Sequence, residues 1–193
     1  MAVLCYRNIM KKTIMISTPL NVKDIIKLRA GDRVLLTGTI YTARDMAHVR
    51  LVEAIMTKRR LPFSLAGQVI FYAGPTPAKQ GSITGSIGPT TSYRMDKYTP
   101  ILLRNGLKGM IGKGQRSQTV KDSIKKYKAV YFAAVGGVSA LLARKVKQSE
   151  IIAYDDLGAE AVRKLYVEGF PLIVAGDTEG GDLYTNTMLN KDK

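Results

Sequence analysis

The chain has 193 residues, enough for one packed domain, and its 46% hydrophobic and 23% charged content suits a globular protein rather than a disordered or fibrous one. A single cysteine and a single histidine exclude an internal disulfide framework and cannot furnish the three or four soft ligands of a zinc or iron–sulfur centre, so any metal must be held mainly by another chain. Thirty Lys and Arg against fifteen Asp and Glu give a formal net charge of +15, which attracts nucleic acid, anionic lipid, a small acidic metabolite or an acidic subunit without choosing among them.

Residues 1–17 open with MAVLCYRNIMKKTIM, which lacks a long apolar core followed by a small-residue cleavage site, and are read as an N-terminal extension to one domain over 18–193. The lone Cys5 suits a reducing cytoplasm. The pattern NVKDIIKLR predicts a short helix over 21–29, stopped by Gly31. RVLLTGTIY then predicts a strand over 33–41, in which Gly38 marks a bulge or a close backbone approach. Over 45–58, Met46, Val49, Val52, Ile55 and Met56 define one face of a helix and leave His48, Arg50 and Lys58 off it. Arg44 stands at its N-terminal edge, where a cation opposes the helix dipole, so stability does not explain the choice.

A strand over 68–73 runs into Gly74-Pro75-Thr76-Pro77, which continues neither helix nor strand, and most of 78–96 reads as loop. Further on, 130–135 predicts a buried strand, 138–145 a helix entered through Gly136-Gly137, 159–167 a helix, and 171–175 a strand ending at Gly176-Asp177. The longest apolar stretch, 129–143, is too short to cross a bilayer and is broken by Gly136 and Gly137. Strands alternating with helices and no internal repeat predict a mixed α/β domain.

Three segments could carry chemistry. GSIGPTTSYRMD, over 85–96, offers a backbone opened by Gly88 and stiffened by Pro89, hydroxyls on Thr90 and Thr91, and in Arg94 a fork that matches a carboxylate; a structural turn with a surface arginine is the alternative. Lys113, between Gly112 and Gly114, is either an anion contact or a solvated turn lysine, and its surroundings do not match a Walker phosphate loop. Arg44, Asp45 and His48 lie within about one helical turn, with Arg44 and His48 on a shared face; His48 is either structural or a proton carrier.

Taken in order, TGTIYTARDMAH (37–48), GQVIFYAGPTP (67–77), GSIGPTTSYRMD (85–96) and GKG (112–114) resemble the β-subunit of class I fumarases and of the related tartrate dehydratases, the likeness extending over roughly 18–184. The resemblance implies a swivelling β/β/α domain, a mixed sheet with helices. It also implies a partner α-subunit in a hetero-oligomer, with a four-iron four-sulfur cluster on three cysteines of that partner and none on this chain. The implied reaction is reversible hydration of a four-carbon dicarboxylate, as in fumarate to malate in the citric acid cycle. In that reaction a nearly dianionic carboxylate forms beside the reacting carbon, and cations aimed at it give most of the acceleration. By position, the resemblance makes Arg44 and Arg94 carboxylate clamps, Lys113 an electrostatic stabiliser that also contacts substrate, and Thr90 the substrate-contacting proton carrier, with His48 the alternative acid–base group. A hydroxyl is a poor base and needs a neighbouring group to activate it. Asp177 stays outside the site, as a structural or subunit-interface residue. The ending Arg94-Met95-Asp96 looks more like fumarases than tartrate dehydratases, which favours fumarate.

Two competing readings are a basic nucleic-acid-binding module and a pure assembly subunit. Against the first, Tyr72, Tyr93, Tyr131 and Phe132 are not interleaved with basic residues as a stacking platform requires. The second predicts that Arg94 and Lys113 matter only for complex formation. The sequence therefore leads to a cytoplasmic enzyme subunit acting on a small dicarboxylate, with neither nucleic acid nor membrane as partner.

Overall fold

A computed structural model describes residues 13–78, 80–134 and 139–185. The strand β2 (Arg33–Thr42) alternates buried positions with exposed or half-exposed ones along its whole length, the period-two pattern of a strand with one face in a core. On one side it pairs in parallel with β1 (Ile14–Ser17) and, further along, with β3 (Val69–Phe71). The next parallel neighbours are β4 (Gly109–Gly112) and β5 (Val130–Ala133). The long β7 (Val162–Gly176) runs antiparallel to β5, to β6 (Val146–Ala153) and to the other side of β2. Because β7 reaches both β5 and β2, the pairings β2–β3–β4–β5–β7 close into a ring, with β1 and β6 appended.

Alternation of side chains then separates two cores. Leu36, Ile40, Val69, Phe71, Ile111, Phe132, Leu165 and Val167 fill the ring. Ile70, Tyr72, Met110 and Tyr131 point the other way, against the helices α2 (Asp45–Met56), α3 (Thr99–Arg104) and α4 (Gln118–Tyr127). Two short helices, α1 (Val22–Ile25) and α5 (Ser139–Arg144), add Ile25 and Leu142 to the first core. Gly38 sits at a register shift in β2 with φ +121°, and a Cβ there would meet Thr18 Oγ1 at 2.3 Å, so both readings of this glycine hold.

A mixed sheet with helices is thus the architecture, but several elements differ from expectation. Ile14–Ser17, placed in the extension by sequence, forms β1 in the sheet. The helix expected over 21–29 is one turn, with the Asn21 side chain accepting from the Asp24 amide. In α2 the buried residues are Ala47, His48, Leu51 and Ala54, whereas Met46 and Met56 are 49% and 70% exposed. The buried face is thus rotated from the expected one: Val52 and Ile55 still pack at its margin, while both methionines lie outside it. Of the helix expected over 159–167, residues 159–160 end a 3-10 segment and 162–167 begin β7: good helix formers yield to cross-strand pairing, with Val162, Leu165 and Val167 buried and Lys164 and Tyr166 exposed. Gly136-Gly137 and Cys5 lie outside the described residues.

Candidate active site

Strands β2, β3 and β4 run parallel, so the segments that leave their carboxyl ends meet at one edge of the ring. Arg44 follows β2, Tyr72 to Gly74 follow β3, and Lys113 follows β4. The loop after β3 comes back to this edge. There the Thr90 amide donates to the Tyr72 carbonyl at 2.7 Å, the Lys113 amide to the Thr90 carbonyl at 3.3 Å, and the Ser92 amide to the Lys113 carbonyl at 2.9 Å. Thr90 and Lys113 are thereby held side by side, Thr90 half-buried and the Lys113 side chain exposed.

Glycines flanking Lys113 make this possible. A Cβ on Gly112 would lie 2.0 Å from Ser92 Oγ and 2.9 Å from Tyr72 Cδ2, so only glycine lets the 3-10 turn Ser92–Met95 pack there. Gly114, at φ +83°, donates its amide to Tyr184 Oη at 3.0 Å and accepts Tyr131 Oη–H on its carbonyl at 2.8 Å. Tyr131 Oη also meets Ser92 Oγ at 2.9 Å, and burial raises its pKa so that the phenol stays protonated.

The two arginines are drawn together by one carboxylate. Arg94, on the 3-10 turn, grips Asp45 with both arms of its fork, Nε to Oδ1 at 2.8 Å and Nη2 to Oδ2. Arg94's bonds hold the Asp45 carboxyl below its usual range. Arg44 Nη2 lies 3.9 Å from the same Asp45 and 3.4 Å from Glu160. The sequence names Asp45 beside Arg44 and His48 but gives it no role in the site; Glu160 carries no signal, because the helix expected over 159–167 conceals it.

His48 is buried on the inner side of α2. It is 0% exposed, packed edge-on to Tyr72 at 5.3 Å between ring centres and 6.0 Å from Tyr98. Its Nδ1 lies 2.7 Å from the Arg44 carbonyl, which can only accept, so Nδ1 carries the proton and Nε2 is left without a partner among the described residues. Burial lowers its pKa to about 4.

Asp96, used above to separate two substrates, does not reach the edge. It is 8% exposed and accepts from Arg116 Nε at 2.7 Å and the Ser117 amide at 2.5 Å, while Arg116 also donates to Thr99 at 2.8 Å. This buried pair ties the Arg94 turn to the segment after Lys113, and sequence reasoning missed Arg116 altogether. Asp177 is likewise structural: it accepts from the amides of Ala30, Glu179 and Gly181 at 2.8, 2.9 and 2.8 Å.

The edge therefore gathers two arginines, the Arg94 fork being held by Asp45, with an ammonium and a hydroxyl, a set suited to binding carboxylates and stabilising developing negative charge. Among the described residues no three His, Cys, Asp or Glu side chains come together as metal ligands. A family model described as the Fumarase C-terminus matches residues 5–187. The putative L(+)-tartrate dehydratase subunit beta of Methanocaldococcus jannaschii is 41% identical over 168 residues, covering 84% of this chain and 86% of that one. L(+)-tartrate dehydratase subunit beta of Escherichia coli is 37% identical over 179 residues, covering 90% and 87%. The anaerobic class I fumarate hydratase of E. coli is 42% identical over 161 residues, 82% of this chain but only 29% of its own length. The chain thus spans less than a third of that fumarate hydratase.

Proposed function

The chain belongs to the Fumarase C-terminus family, and on that premise we propose that it is the β-subunit of a two-subunit hydro-lyase that reversibly hydrates fumarate to malate. The observation that carries this reading is the meeting of Arg44, Thr90, Arg94 and Lys113 at one sheet edge. Two relatives of similar length named as beta subunits support a separate α-subunit as partner. With one Cys and one His, this chain does not fit an iron–sulfur cluster as its own, and the cluster belongs to the partner in this reading. When bound there it supplies a Lewis acid for the substrate hydroxyl.

This chain's own residues do the rest. Arg44 and Arg94 bind the carboxylates, which requires the substrate to share or replace Asp45 in the Arg94 fork. In the direction from malate, Thr90 takes the proton next to one carboxylate after its own hydroxyl proton has passed to a base brought by the partner subunit; the electron pair left behind spreads onto that carboxylate and then forms the double bond as the hydroxyl on the adjacent carbon departs as hydroxide. Lys113, beside Thr90, stabilises the second negative charge as it forms. Burial of His48 supports Thr90 as the proton carrier. A cytoplasmic location, in keeping with Cys5, completes the proposal; no helix among the described residues is long and apolar enough to cross a membrane.

Dehydration of L(+)-tartrate is a second reading, favoured by the match in length to two tartrate dehydratase beta subunits. The Asp96 sign no longer weighs against it, since that carboxylate is in the scaffold. Assembled enzyme assayed on fumarate and on L(+)-tartrate side by side decides between them. In the same assembly Arg94→Lys keeps the charge and loses the fork, and kcat/KM should fall by at least about tenfold. Near-normal kcat/KM with intact assembly would remove Arg94 from the site and favour a pure assembly subunit.

A further inference from the structure

Helix α2 begins on a residue that cannot cap it. Arg44 stands at the N-cap with extended backbone (φ −116°, ψ −158°) and no side-chain cap bond, where Ser, Thr, Asp or Asn would accept an amide of the first turn. The acceptor comes from a distant part of the chain. Glu160, at the end of the 3-10 segment Asp155–Glu160, takes the Met46 amide on Oε2 at 2.9 Å, and its Oε1 lies 3.4 Å from Arg44 Nη2. One carboxylate thus caps the helix, suits its dipole and offsets the cation that opposes it.

The slot around Arg44 is narrow. A Cβ on Gly74 would lie 3.1 Å from Arg44 Nη1 and 3.2 Å from its Cδ, and 2.7 Å from the carbonyl of Ala159, the residue before Glu160. The stem of Arg44 is therefore confined between the exit of β3 and the Ala159-Glu160 step, with both charged side chains partly shielded at 24% and 22% exposure. The other nearby carboxylate, Asp45, is already held by Arg94.

We infer that Glu160 is a positioning residue of the candidate site: by capping α2 and pairing with Arg44, it sets the direction in which the Arg44 guanidinium meets a substrate carboxylate. This rests on the function proposed above. Without the Glu160 charge, Arg44 closes from its present 3.9 Å onto Asp45, and both guanidinium groups are then held by an internal carboxylate in place of the substrate. Glu160 touches no reacting atom, so its loss acts on substrate binding more than on turnover.

The experiment uses assembled enzyme carrying Glu160→Gln, Glu160→Ala or Arg44→Ala. Gln keeps an oxygen for the Met46 amide and loses the charge, whereas Ala loses both. Glu160→Gln should raise KM about three- to tenfold, with kcat within about twofold and with melting temperature and amide exchange over 45–48 unchanged. Glu160→Ala should show the same KM rise and, in addition, faster exchange over 45–48. A wild-type KM in Glu160→Gln, alongside a raised KM in Arg44→Ala, overturns the role given to Glu160. A wild-type KM in Arg44→Ala overturns instead the carboxylate-binding reading beneath it. If Glu160→Ala fails to assemble, the Gln variant alone decides.

Discussion

Histidine is the usual proton carrier near neutral pH, yet burial in the core argues against that work for His48. With Nδ1–H committed to the Arg44 carbonyl and its pKa lowered to about 4 by burial, the ring is neutral at physiological pH and braces the helix start that carries Arg44 and Asp45. Thr90 has the opposite setting, half-buried at the sheet edge with Lys113 paired to it through the backbone. In assembled enzyme, Thr90→Val should therefore lower kcat by about a hundredfold or more, and His48→Asn by far less. A larger loss at His48 in a variant that assembles normally would reverse the assignment. The same burial predicts a pH effect. His48 binds its proton at about 4 when folded and near the ordinary value of about 6.5 when unfolded. As pH falls from about 6.5 towards 4, the unfolded chain gains a proton that the folded one refuses, so stability falls across that window by up to about 3 kcal/mol and levels off below it. Urea denaturation of wild type against His48→Asn at a series of pH values reads this directly, because the variant should lack that component.

At the scale of elements, the site depends on a glycine at the end of a strand. Gly112 closes β4, and any side chain there must displace Ser92, whose hydroxyl meets Tyr131 beneath the Lys113 turn. Gly112→Ala should cost about 2–4 kcal/mol, by overpacking and loss of a buried hydrogen bond. Gly114→Ala meets nothing within 4 Å and carries only the left-handed backbone at φ +83°, which costs about 1–2 kcal/mol. Thermal melting of the two variants should rank them in that order; equal losses would mean that Ser92 yields freely. This contrast also marks what could be read beforehand. The motifs that place Arg44, Thr90, Arg94 and Lys113 lie on contiguous segments with Gly and Pro at fixed offsets, and the strand-suited residues over 33–41 named their own strand. Hidden from a linear reading were the contacts made across sequence: Arg116 on Asp96, Glu160 on Arg44, and β7 pairing with three other strands. Helix propensity over 159–167 pointed the wrong way because long-range pairing outweighs it.

For the whole molecule, the closed ring of strands makes a rigid support with cationic groups gathered at one edge, and the chain's remaining charge is lopsided. Thirty basic residues face fifteen acidic ones, so even with Asp45, Glu160, Asp96 and Asp156 each paired to arginine, a large positive excess stays on the surface. Such a surface speeds encounter with a negatively charged ligand or subunit and weakens that advantage as salt rises. It cannot complete the chemistry, because an arginine, lysine and hydroxyl set lacks a group that binds the departing hydroxide. The purified chain should therefore be colourless, iron-free and inactive in hydration. Mixing it anaerobically with a cysteine-bearing α-subunit should restore hydration, at an assembly rate that falls with ionic strength. Iron–sulfur absorbance at one cluster per chain in the purified subunit, or hydration without any partner, would contradict the division of labour proposed for the two subunits.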